Sequence, residues 1–86
     1  MPEVSRFYGI VISMYFKEHN PPHFHADFGE YSAQFNIETL QMMDGKMPNR
    51  AKSFILEWAD EHRVELMANW NAIRNREPFS KIEPLQ

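Results

Sequence analysis

Eighty-six residues carry 43% hydrophobic, 14% aromatic and 24% charged side chains, with no cysteine. That length suits one small core rather than two domains, and a chain of this size buries only about 60–65% of its unfolded surface. Missing thiols exclude a disulfide framework and every thiolate metal site. A formal charge of −3, from nine basic and twelve acidic residues, disfavours general adhesion to nucleic acid, which draws on many phosphate contacts.

The first residues, Met1 to Arg6, lack the apolar core of an export signal, and no apolar run approaches a membrane span. The cytoplasm is therefore the expected compartment. A single domain over 1–86 is expected, β-rich over 4–43, helical over 48–76 and extended over 77–86.

From Arg6 to Phe16 the chain is rich in aromatic and β-branched residues. Tyr8, Ile10, Ile12, Met14 and Phe16 form an apolar series at strand period. The reading is one strand near 6–16, apolar enough on its other side to lie centrally. Lys17 to Pro22 must be a loop, because adjacent prolines fix φ and offer no ladder donor.

Beyond the prolines, His23 to Phe28 alternates polar and apolar, and Tyr31 to Ile37 alternates again beginning with the apolar residue. Gly29-Glu30 between them suits a type II′ turn, which predicts a hairpin of strands near 23–28 and 31–38. Phe28 then pairs with Tyr31, and counting back His25 faces Gln34, Phe24 faces Phe35 and His23 faces Asn36. Every pair matches in polarity, whereas a one-residue slip mismatches them all. The same register gathers His23, His25, Asp27, Ser32, Gln34 and Asn36 on one face.

Residues 38–47 are ambiguous between further strand and a departing loop, with Asp44-Gly45 as a turn signal. After Pro48 the period changes. Ala51, Phe54, Ile55, Trp58, His62, Leu66, Trp70 and Ile73 recur at helical steps over 48–76, as one long helix or two bent near 60–62. Pro78 ends the helical pattern, and Ile82 and Leu85 are apolar anchors in an extended tail. The two tryptophans on the apolar stripe are expected in the core. The fold class is α+β: a small antiparallel sheet with amphipathic helix on one face.

One cluster carries chemistry. His19-Asn20-Pro21-Pro22-His23-Phe24-His25 places three of the four histidines within seven residues. Histidines two apart on a strand share a face, roughly 7 Å apart at Cα, close enough to share a cation. With His19 held near by the prolines, His19, His23 and His25 are candidate ligands for a divalent transition metal such as zinc, with Asp27 or Glu18 as supporting carboxylate. His62 joins only if the helix crosses this face. The same three histidines are candidates for metal-free acid–base catalysis, with Arg6, Lys17, Arg50 or Arg63 stabilising negative charge. The plain alternative is a solvated polar face. No P-loop, nucleophile elbow, dinucleotide fingerprint or H-E-x-x-H motif is present.

The segments Ser5 to Ile10, Met14 to Phe16, His19 to Ala26, Gly29 to Tyr31, Leu56 to Ala59, Asn69-Trp70 and Lys81 to Leu85 resemble the bacterial domain-of-unknown-function family 4160. The histidine run is the most specific part. The resemblance implies a small stand-alone protein encoded beside another small protein, in pairs that look like toxin–antitoxin or regulatory modules, and a shared site at His19, His23 and His25. Residues and resemblance together lead to the expectation of a cytoplasmic module acting with a small protein partner or as a homo-oligomer, through its histidine-rich surface. The alternative is a histidine- or metal-dependent phosphodiesterase that cleaves RNA. Nucleic acid is disfavoured by charge, and no membrane is expected.

Overall fold

In the computed structural model, residues 3–86 are described. The domain expectation over 1–86 and the reading of the first residues therefore extend in part outside them.

Five strands form one antiparallel sheet in sequence order: β1 (Glu3–Phe7), β2 (Ile10–Ser13), β3 (His23–Phe28), β4 (Tyr31–Asn36) and β5 (Met42–Lys46). Two helices follow, α1 (Asn49–Glu61) and α2 (Arg63–Arg74). The architecture is α+β, as the change of period after Pro48 requires.

The expected strand near 6–16 is two strands joined by a tight turn. Tyr8 and Gly9 sit at φ 51° and 80°, and Phe7 pairs with Ile10. A two-residue hairpin returns the chain on the same face, so the apolar spacing runs through the turn and hides it. Ile10, Ile12 and Met14 are buried, but Tyr8 and Phe16 stand in the open.

The β3–β4 hairpin has the expected register throughout, from Phe28↔Tyr31 to His23↔Asn36. Of its two turn residues only Gly29 has positive φ, 59°, as a type II′ turn requires. The ambiguous segment resolves as edge strand β5. Asp44-Gly45 lies inside it rather than at a turn, beyond a register shift opposite Gln34 and Phe35.

Helical structure begins at Asn49 behind Pro48 and breaks at His62 (φ −121°, ψ 27°). No glycine or proline causes the break. Asp60 and Glu61 are unfavourable at the negative end of α1 but sit just ahead of the positive end of α2, where Glu65 lies in the first turn. The bend lets α2 bury Leu66, Asn69, Trp70 and Ile73.

Both tryptophans are in the core, as expected. Trp58 is fully buried against Phe7 and Phe24, and its indole N–H donates to the Glu83 carbonyl (2.8 Å). In the tail, residues 77–86 form neither helix nor strand, with Ile82 and Leu85 buried and the Ile82 N–H donating to the Val4 carbonyl. Asn69 holds it too, donating to the Ser80 carbonyl (2.8 Å) and accepting the Ser80 N–H (3.0 Å). Among the described residues, no helix is long and apolar enough to cross a membrane.

Candidate functional site

β2 ends at Ser13 and the chain crosses to β3 through residues 14–22. In this crossing Lys17 adopts a left-handed conformation (φ 64°), and the Asn20–Pro21 bond is cis. Glu18 is half-buried between exposed Lys17 and exposed His19. The reversal turns Glu18 toward the start of β3, where His23 and His25 project to one side of the strand as their spacing requires.

Three side chains converge there. His25 Nε2 lies 2.6 Å from Glu18 Oε1, a short charge-assisted hydrogen bond. His23 Nε2 approaches the same oxygen at 3.6 Å. One ligand atom from each of Glu18, His23 and His25 falls within 4.8 Å of the others.

His23 is buried, and its Nδ1 is 2.8 Å from the Pro21 carbonyl. A carbonyl only accepts, so Nδ1 carries a proton, and in the neutral ring the lone pair is then on Nε2. That lone pair lies 3.6 Å from the carboxylate oxygen that His25 also approaches, so the three groups are placed to share a cation. Fixing one ring nitrogen by a backbone carbonyl while the other faces the ligand cluster is also how metal-binding imidazoles are oriented.

Aromatic walls hold the imidazoles in place. Tyr15 meets His25 edge-on at 4.6 Å, and Trp70 packs on His23 at 5.2 Å. Arg74 lies over the Trp70 ring and donates to the Asn20 side-chain oxygen (3.0 Å), tying α2 to the crossing. Ser13, the register partner of His25, is fully buried, and its hydroxyl has no hydrogen-bond partner among the described residues.

Of the expected ligands, His23 and His25 are brought together and Glu18 joins them as a direct member rather than a supporting carboxylate. His19 is exposed and outside the cluster, because the residue beside an inward-turned Glu18 faces away. Asp27 is occupied by the Ser32 hydroxyl at 2.7 Å. His62 pairs with Glu65 and packs on Trp58, on the helical side. Arg6 is engaged by Glu3, whose carboxyl is held below its ordinary range by hydrogen bonding and charge from Arg6. Arg63 donates to the Glu38 carbonyl and Arg50 lies over Phe54, so neither joins the cluster. Ser13, Tyr15, Trp70 and the Pro21 carbonyl were not flagged by sequence reasoning. Only Ser13 carried a signal, a small polar residue on an otherwise apolar strand.

No curated protein and no solved structure matches the chain. A family model does, over residues 9–71. The matched span includes β2 to β5, α1, most of α2 and the whole Glu18–His23–His25 cluster; the resembling segments at Ser5–Tyr8 and Lys81–Leu85 lie outside it. The chain belongs to the family described as domain of unknown function DUF4160.

Proposed function

We propose that the protein is a small metal-dependent module, with a divalent ion of the zinc class held by Glu18, His23 and His25. What carries the reading is the aim of two imidazole Nε2 atoms at one carboxylate oxygen, with His23 fixed from behind by the Pro21 carbonyl. Two nitrogens and a carboxylate are the donor set of catalytic zinc sites that keep a position open for water or substrate. Around a tetrahedral ion with bonds of about 2.0–2.2 Å, neighbouring ligand atoms stand roughly 3.3–3.6 Å apart. The His23–Glu18 separation already has that value, and the 2.6 Å His25–Glu18 pair would have to widen to admit an ion. A bound ion of this kind acidifies its water and serves hydrolysis. In the metal-free alternative, the Glu18–His25 pair itself exchanges a proton with substrate.

Titration calorimetry with zinc tests the reading. One equivalent should bind, and His23→Ala and Glu18→Gln should each weaken it at least about tenfold, as loss of a ligand or its support does. His19→Ala should bind like the parent. Folded Glu18→Gln protein that binds zinc unchanged rules the centre out.

A second reading, action with a small protein partner, is supported by the unpaired edge of β5. Every residue of β5 is exposed, Met42 and Met43 among them, and such an edge is a ready template for an added strand. Co-expression with the neighbouring gene product should give a complex that a proline at Met43 disrupts. Separate elution of the two proteins counts against it.

A further inference from the structure

A groove of about 790 Å³ opens beside the cluster and shares Glu18 with it. One wall is Phe16, Lys17 and Glu18 from the crossing; the other is the end of α2 and the start of the tail, with Arg74, Arg76 and Phe79. The volume lies in the range of small-molecule sites, roughly 300–1,000 Å³, and apolar Phe16, Ile73, Pro78 and Phe79 line it together with charged residues.

The cations at its rim are held unusually. Arg76 occupies the left-handed position (φ 58°) that closes α2, where the Arg76 N–H donates to the Ile73 carbonyl and the Glu77 N–H to the Ala72 carbonyl. This helix ending ordinarily takes glycine or asparagine there. Across the groove, Lys17 is also left-handed, at φ 64°. Among the described residues only four non-glycine residues have positive φ, and two are cations lining this groove. Backbone convenience explains neither, since glycine fits both positions better. Non-glycine residues held in such conformations cluster at ligand clamps. Neither Lys17 nor Arg76 makes an ion pair among the described residues, and Arg74 keeps donors free beyond its bond to Asn20. Against three cations stand Glu18, committed to the histidines, and Glu77.

We propose that this groove binds a nucleotide, its phosphate between Lys17, Arg74 and Arg76 and its base against the Phe16 and Phe79 rings. The inference rests on the metal-centre reading for its chemistry: a phosphate held there lies beside Glu18, where a bound ion would supply an activated water. Binding itself depends on the groove alone.

Glycine substitution separates backbone from side chain. Arg76→Gly and Lys17→Gly suit their φ values, so both variants should melt no lower than the parent. Titration of adenosine, guanosine, cytidine and uridine 5′-monophosphates, with inorganic phosphate alongside, reads the binding. The parent should bind nucleotides more tightly than phosphate, and each glycine variant should lose about tenfold or more, one charged contact's worth. No nucleotide binding by the parent, or unchanged binding by the double variant, overturns the proposal. Phosphate bound as tightly as every nucleotide overturns the assignment of the aromatic wall to a base. Zinc titration of the same variants keeps the two readings apart. Nucleotide binding without zinc binding defeats the metal centre alone, and the converse defeats the groove alone.

Discussion

Ser13 and His25 face one another across β2 and β3, and their pairing bears directly on the site. A buried hydroxyl without a partner costs about 1–3 kcal/mol relative to one that is satisfied. Among the described residues nothing hydrogen-bonds to the Ser13 oxygen. As the register partner of His25, Ser13 lies on the face of the sheet that carries the histidines. Ser13→Ala should therefore raise stability by about 1 kcal/mol, seen in a urea melt, while weakening zinc. A melt at lower urea than the parent would mean that the hydroxyl is already satisfied, and the argument fails. The site as a whole was partly legible at this scale. An H-x-H pair on a strand shares a face by geometry, so His23 and His25 could be read directly. Glu18 and His19 could not be told apart, because which of two neighbours turns inward depends on the left-handed reversal at Lys17. The Pro21 carbonyl was invisible because backbone groups carry no residue-type signal.

At the scale of elements, legibility followed the strength of competing patterns. The β3–β4 register was readable because polarity alternates in both strands and the glycine sits where the turn needs it. The β1–β2 turn was not, because Phe7 and Ile10 keep the same face across Tyr8-Gly9. In β5 the turn signal at Gly45 has another cause. A Cβ there would stand 2.1 Å from the Ser32 carbonyl oxygen, and φ is 91°, so the residue is glycine to let the edge strand approach β4. The break at His62 had no glycine or proline to announce it. It follows from charges placed between two helix dipoles and from the burial of Trp58 and Trp70 on surfaces that one straight helix does not serve together. Element ends were therefore least readable where tertiary contacts, rather than local residue types, decided them.

For the whole molecule, the cluster is a joint between three parts of the fold. Glu18 comes from the crossing, His23 and His25 from the sheet, and Trp70 and Arg74 connect both to α2. A domain of this size has a stability of only about 5–15 kcal/mol, so one added cross-link is a sizeable share. A ligand that binds only the folded chain adds about 2.7 kcal/mol when present at a hundred times its dissociation constant. For a chain of 60–100 residues each kcal/mol moves the melting temperature by about 4–8 °C, so zinc at that level should raise it by roughly 10–20 °C. Histidines of the unfolded chain also bind zinc weakly, which makes the upper figure a ceiling. Glu18→Gln and His25→Ala should lose most of the rise, while His19→Ala, outside the cluster, should keep it. Scanning calorimetry with and without zinc reads all four proteins. An equal rise in Glu18→Gln would mean that the ion stabilises the fold from somewhere else, and the joint would have to be held by the shared proton alone.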